Sequence, residues 1–367
     1  MRWGKEEMYW FDIFNAEKDD HSKAIAKAAK AVKDSWDIDW SFSGIWKDDH
    51  CHNCQTDRVF ACMFGEMSSM EILRGEKARI TFKDGTSIKV SDGYSNDVGT
   101  SVTMIDYELG EIRFDWDDIL RVDFHEAPEA ADIPYGSLLY GTVRTERRKQ
   151  YTGYIQWDMD ERNGDDILDG ETRYGDQKIP FEKIASIEKI NNGKAVDVTF
   201  DSGRTITMDG SNDCEDGNRG IGIYAPELGS VEVEWDNFEK VTFKTAPLEG
   251  IHYSDFTVAQ GLQAEISTFD DDLYSGYIAY DMDELWDFEL LDGDDDAVKL
   301  QIPFRDILSI QPKNRLYSIV NLRDGQSLLL GERQDVSSKN EGIIIRTGDD
   351  GEIHVQWDLI DLIKFKH

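Results

Sequence analysis

The chain has 367 residues, which is enough for two or three domains that each bury a hydrophobic core. With 40% hydrophobic and 11% aromatic residues, it is too apolar to be a disordered protein. Its formal net charge of -35 argues against direct nucleic-acid binding, because a basic face is needed to displace counterions from the phosphates.

Membrane insertion and export leave no signature in the sequence. No apolar run reaches the roughly 18 residues that a membrane-spanning helix needs. The first part of the chain lacks the uninterrupted apolar stretch of a secretory signal. We therefore expect no membrane insertion and a cytoplasmic protein, with a secreted mature chain as the alternative.

Internal repeats are the clearest feature of the sequence. Residues 151–161 recur at 274–284, and residues 179–187 recur at 302–310 at the same offset. Two long matches in one register indicate a duplicated structural unit rather than chance similarity.

The second half of the repeated unit occurs three times in the chain. A closing segment built around Trp-Asp follows a hairpin whose turn ends in Gly, flanked by alternating apolar residues, and this pattern predicts strands. The closing segments are residues 112–124, 231–243 and 353–365. The hairpins are residues 79–90, 197–208 and 318–330, with turns at Asp84-Gly85, Ser202-Gly203 and Asp324-Gly325.

Each half-repeat ends in an aromatic residue that is followed at the third and sixth positions by apolar residues. This spacing predicts a 3₁₀ turn that leads into a last strand and points all three side chains inward. The six aromatic residues are Phe64, Trp116, Phe181, Trp235, Phe304 and Trp357. We therefore predict an all-β fold of three tandem repeats, each made of two small SH3-like or partly open barrels.

The predicted domain order has four parts. One N-terminal helix is expected over residues 15–36, because this stretch is rich in Ala and Lys. Residues 42–49 resemble 151–158, which places a diverged first repeat directly after that helix. The parts are an N-terminal helical segment at 1–40 and β repeats at 41–127, 135–246 and 252–367.

The densest group of metal-ligating residues lies in the first repeat, at the position where the other two repeats have an acidic loop. Thiolates and imidazoles at this spacing suit Zn²⁺, although a structural zinc site usually draws a second ligand pair from elsewhere. A local Cys51–Cys54 disulfide and an exposed loop without a role are the alternatives. The candidate ligands are His50, Cys51, His52 and Cys54.

Two acidic loops offer oxygen ligands for Ca²⁺. The run Asp292-x-Asp294-x-Asp296 starts like a calcium loop, but Ala297 stands where the turn glycine belongs. Solvated loops are therefore the main alternative to a calcium site. The candidate ligands are Asp158, Asp160, Glu161, Asp281, Asp283 and Glu284.

The sequence contains no catalytic motif that stands apart from the repeats. It lacks the Gly-x-Ser-x-Gly elbow, the phosphate-binding Gly-x-x-x-x-Gly-Lys loop and the Gly-x-Gly-x-x-Gly dinucleotide motif. We expect a non-enzymatic binding or structural protein whose partner is a protein or a small ligand. The alternatives are a carbohydrate or ester hydrolase that uses carboxylates of the acidic loops, and a metal-binding protein.

Overall fold

The computed structural model describes residues 2–3, 6–7, 9–18, 59–91, 97–106, 108–126, 137–225, 228–247, 251–346 and 352–366. These residues form antiparallel strands joined by tight turns and short 3₁₀ turns, which confirms the all-β fold class. Within these ranges there is no α-helix, and so no helix with the length and apolar character that a membrane crossing requires.

The strands are numbered in chain order. The first ten are β1 (Arg2–Trp3), β2 (Glu6–Glu7), β3 (Ile13–Lys18), β4 (Val59–Met63), β5 (Met67–Leu73), β6 (Lys77–Phe82), β7 (Ser87–Ser91), β8 (Val102–Asp106), β9 (Gly110–Phe114) and β10 (Arg121–Asp123). The next ten are β11 (Tyr140–Thr145), β12 (Gln150–Gln156), β13 (Ile167–Thr172), β14 (Gly175–Pro180), β15 (Ile184–Ile190), β16 (Ala195–Phe200), β17 (Thr205–Met208), β18 (Ile221–Ala225), β19 (Gly229–Val233) and β20 (Phe238–Lys244). The last ten are β21 (Gln263–Thr268), β22 (Leu273–Ala279), β23 (Leu290–Asp295), β24 (Val298–Pro303), β25 (Ile307–Pro312), β26 (Tyr317–Leu322), β27 (Ser327–Gly331), β28 (Ile343–Arg346), β29 (Glu352–Val355) and β30 (Ile360–Lys366).

The chain divides into two compact units. The first unit is Met1–Ala127, Ile251–Leu290 and Glu341–His367, and the second is Pro128–Gly250 and Leu291–Asn340. The strands of the predicted third repeat are therefore shared between the units.

The first unit contains three groups of paired strands. One sheet has the order β10-β5-β6-β7-β3-β4 and another the order β2-β1-β8-β9. The third group pairs β29-β28-β22-β21-β30. The core of the first unit is rich in aromatic residues, and in it Phe82 packs against Phe60, Trp286 and Phe288.

The second unit is built around one continuous run of pairings, β19-β18-β12-β11-β20-β15-β16-β17. Strand β24 pairs with β19, β13 forms a hairpin with β14, and β25, β26 and β27 form a meander. Trp157 is fully buried and makes edge-to-face contacts with Trp235 and Phe238.

A 3₁₀ turn occupies each of the six positions that the aromatic spacing indicates. Every one begins at the aromatic residue, whose side chain is buried, and is followed by a strand. The turns are Phe64–Glu66, Trp116–Asp118, Phe181–Lys183, Trp235–Asn237, Phe304–Asp306 and Trp357–Leu359.

The predicted N-terminal helix is wrong where the structure describes it. Residues 15–18 are the second half of β3, in which Asn15 pairs with Ala61 and Glu17 with Val59. Side chains on β3 alternate between buried and more exposed positions, so tertiary pairing overrides the Ala-rich composition that favours a helix. The rest of that prediction, residues 19–36, lies outside the described residues. The three-repeat organisation, the SH3-like barrels and the domain boundaries stay predictions.

Candidate functional site

The two acidic loops form the same turn, one in each unit. In the second unit the N–H of Trp157 donates to the Glu161 carbonyl at 2.8 Å, and in the first unit Tyr280 donates to Glu284 at 2.9 Å. The Asp-Met pair at the tip of each turn has positive φ angles, 48° and 55° at residues 158 and 159 and 45° and 68° at residues 281 and 282. Asp tolerates this left-handed conformation better than most residues, whereas methionine is strained in it.

Asp158 ties its turn to the segment that follows β17. Its carboxylate is completely buried and accepts the main-chain N–H of Arg219 at 2.5 Å. The Arg219 guanidinium lies 3.3 Å from the same carboxylate, and the Asn212 side-chain amide also donates to it. These donors supply the charge and hydrogen bonds that a buried carboxylate needs.

Asp213 and Glu161 form the most perturbed pair of acids in the second unit. Burial and a hydrogen bond with the Asp169 carboxyl raise the pKa of Asp213 to about 7, although the Asp169 N–H, 3.0 Å away, opposes this rise. Burial and then the charge of Asp213 raise the pKa of Glu161 to about 8. Its Oε2 atom is buried and accepts no hydrogen bond from any residue that the structure describes. The pair therefore retains protons near neutral pH and has the chemistry of a general acid.

Removing the Glu161 charge is expected to flatten the pH dependence of stability. Because the folded-state pKa is raised, ionisation of Glu161 costs stability as pH rises from about 4.5 to about 8. The Glu161→Gln variant should lose less stability than the wild type between pH 5 and pH 8.5 in urea unfolding. Asp160→Asn, which changes a half-exposed carboxylate in the same turn, is the matched control; its charge is a smaller cause of the raised pKa of Glu161, so its slope should stay closer to the wild type than that of Glu161→Gln. Equal slopes for Glu161→Gln and the wild type would contradict the burial argument.

The matching turn of the first unit also accepts a main-chain N–H group and contacts a buried cation. Asp281 is 2% exposed and accepts the Glu341 N–H at 2.5 Å. Lys18 Nζ lies 3.0 Å from Glu289 and 3.5 Å from Asp283, and it donates to the Asp283 carbonyl at 2.8 Å. This turn therefore anchors strand β3 through an internal ion pair.

Four of the six predicted calcium ligands contact nitrogen donors. Asp158 and Asp281 accept main-chain N–H groups, while Asp283 faces Lys18 and Asp160 faces Arg219 at 3.4 Å. Among the described residues, no three His, Cys, Asp or Glu side chains are grouped so that they would hold a metal ion. Both turns therefore work as internal connections in this structure.

The predicted zinc ligands His50, Cys51, His52 and Cys54 lie outside the described residues, so that site stays a prediction. Two other cysteines are described, and both are buried free thiols. Burial raises the pKa of Cys214 to about 12 and that of Cys62 well above its ordinary value. Both thiols are therefore protonated at neutral pH when no metal is bound.

The sequence predictions missed three residues that organise these turns. Lys18 fell within the predicted helix, and Asp213 and Arg219 were not singled out. One signal for Asp213 was available, since Asp335 stands at the matching position of the predicted third repeat.

No protein-family model matches the chain, and a search of curated proteins finds no match.

Proposed function

We propose that the chain is a non-enzymatic binding or structural protein with three β repeats, each stabilised by carboxylates that accept hydrogen bonds within the repeat. The observation that carries this proposal is a main-chain hydrogen bond that occurs three times. In each case an Asp carboxylate that follows a hairpin accepts the N–H of the third residue of a neighbouring strand. The pairs are Asp97 with Asn15 at 2.8 Å, Asp213 with Asp169 at 3.0 Å and Asp335 with Asp292 at 2.7 Å.

A second carboxylate contact recurs just before those strands. Before each of β3, β13 and β23 an acidic side chain accepts the N–H of the residue three positions earlier in the chain. The bonds are Asp12 with Tyr9 at 2.7 Å, Asp166 with Asn163 at 2.7 Å and Glu289 with Trp286 at 3.0 Å. Carboxylates that accept main-chain N–H groups fix the turn, which gives these side chains a structural role.

These matched bonds support a revised boundary for the first repeat. On this proposal β3 corresponds to β13 and β23, and β4 corresponds to β14 and β24. The first repeat then includes residues 9–18, and residues 19–58 are an insertion between two paired strands. On this reading, residues 42–49 do not correspond to the acidic turn at 151–158.

The hydrolase alternative has one specific observation in its favour. Glu161 and Asp213 hold protons near neutral pH, as the general acid of a glycosidase does. However, Asp213 also forms the recurring bond to the Asp169 N–H. We therefore assign the pair to the turn rather than to catalysis.

A substrate panel separates the two functions. Chromogenic glycosides and esters are expected to show no turnover with the wild type, because Asp158, Asp213 and Asp281 accept main-chain N–H groups of the protein itself. Turnover that falls about 100-fold or more in Glu161→Gln, the loss typical of a general acid, at an unchanged melting temperature would overturn the proposal. Asp160→Asn serves as the control for a nonspecific charge effect.

A further inference from the structure

Four apolar side chains form a partly exposed patch in the first unit, which we call the apolar patch. Phe269 and Leu273 are each 64% exposed, Leu359 is 44% exposed, and Leu362 is partly exposed. The Phe269 N–H donates to the Leu359 carbonyl at 3.0 Å, which brings the β21–β22 turn next to the last 3₁₀ turn. Ser267 pairs with both Leu273 and Leu362, so these three side chains lie in one row on the same face.

The second unit has the same backbone arrangement with polar side chains. Arg144 pairs with Gln150 and Lys240, in the way that Ser267 pairs with the two leucines. The Glu146 N–H donates to the Asn237 carbonyl at 2.8 Å, which matches the bond from Phe269 to Leu359. Polar residues thus fill all four positions of the apolar patch in a related fold. The fold does not require apolar side chains there, and their exposure has an unfavourable hydration free energy.

Charge decides which kind of partner suits the apolar patch. Asp270, Asp271, Asp272 and Asp358 are exposed and adjoin it in the chain, and Asp361 is partly exposed. The cation Lys364 stands one row away, opposite Glu265. A second copy of the chain would bring the same carboxylates together, whereas a basic partner would be attracted to them.

We propose that the apolar patch docks a basic polypeptide segment that also carries apolar side chains. The leucines and Phe269 would bury the apolar side chains of the partner, and the surrounding aspartates would pair with its lysines or arginines. This inference rests on the proposed binding function and names the chemistry of the partner.

The test uses the full-length chain and a fluorescein-labelled synthetic peptide of Lys and Leu arranged as an amphipathic helix. A variant with Phe269→Glu, Leu273→Gln, Leu359→Asn and Leu362→Lys carries the residues of the second unit and keeps the net charge unchanged. Fluorescence anisotropy should show that this variant binds the peptide on the order of tenfold more weakly than the wild type. A peptide with Ser in place of Leu should bind both proteins equally and weakly.

A matched control variant, Leu109→Gln with Leu120→Gln, removes two leucines that are 75% and 81% exposed in the same unit and should bind like the wild type. Equal affinity of the wild type and the four-residue variant, or no binding of the Leu peptide by the wild type, would overturn the proposal. Wild-type self-association that the variant abolishes would assign the patch to a second copy instead. None of these outcomes depends on turnover. A negative peptide-binding result would therefore overturn only the docking proposal, and the substrate panel would still decide the non-enzymatic function.

Discussion

Replacing Lys18 with methionine is expected to lower the free energy of unfolding by about 3–5 kcal/mol, the cost of leaving a buried ion-pair partner uncompensated. The side chains of Lys18 and Glu289 are only 5% and 3% exposed, and their charged atoms lie 3.0 Å apart. The Asp283 carboxylate, 7% exposed, lies 3.5 Å from the same ammonium group. Methionine fills a similar volume, so the loss would come from the unpaired carboxylates and not from a cavity.

The loss should be smaller at pH 6 than at pH 9, because burial raises the pKa of Glu289 and a carboxyl group left without Lys18 can take up a proton at the lower pH. Burial alone would lower the pKa of Lys18, but the charges of Glu289, Asp283 and Glu284 together raise it above its ordinary value. A raised lysine pKa contributes stability that is fully present below the unfolded-state value, about 10.4, and is lost only at higher pH.

A double-mutant cycle with Glu289→Gln separates the ion pair from packing. The Lys18→Met, Glu289→Gln protein should recover part of the lost stability, because one buried charge is removed together with its partner. Urea unfolding of the four proteins measures the coupling. A loss below about 1 kcal/mol for Lys18→Met, the range of an exposed pair, would show that the pair is solvated.

Lys18 also shows why part of this structure could not be predicted from the sequence. Residues 13–18 lead into an Ala-rich and Lys-rich stretch, and composition favours a helix there. The partners that make residues 13–18 a strand are β4 and β7, and the acid that binds Lys18 lies in the predicted third repeat. None of these partners is near in sequence, so no local pattern reports them.

Features that depend on local residues were predicted well. The Asp-Gly and Ser-Gly turns at residues 84–85, 202–203 and 324–325 connect paired strands, and their glycines have φ angles of +85°, +80° and +95°. The 3₁₀ turns were visible because each needs only one aromatic residue and two further apolar residues at fixed spacing. The turns at residues 157–161 and 280–284 lie in the predicted acidic loops, but Asp292 and Asp294, also assigned to a loop, lie in strand β23. The partners Lys18 and Arg219 were missed, since they lie far away in the sequence.

Substituting alanine for Gly153 is expected to destabilise the second unit by about 3 kcal/mol, the upper part of the range for an overpacked core. A Cβ atom at residue 153 would lie 1.9 Å from the Tyr224 carbonyl oxygen on the neighbouring strand β18. Main-chain atoms cannot rotate away as a side chain does, so β12 and β18 would have to separate where Tyr154 pairs with Tyr224. Gly276 has the same contact, 1.9 Å from the Arg346 carbonyl oxygen, so Gly276→Ala should have an equal effect in the first unit. This close approach explains why Gly-Tyr-Ile is retained in both copies of the motif.

Gly203→Ala is the matched control, since it adds the same methyl group in the same unit. Gly203 has a φ of +80° and no atom within 4 Å of the added Cβ, so only the left-handed backbone conformation opposes the change. That cost is roughly 1–2 kcal/mol. Thermal unfolding gives the loss of each variant, and amide hydrogen exchange of β12 and β18 locates it, because exchange there should rise in Gly153→Ala and stay unchanged in Gly203→Ala. If Gly153→Ala proved no more harmful than Gly203→Ala, the two strands would have room to move apart, and the glycine in the repeated motif would need another explanation.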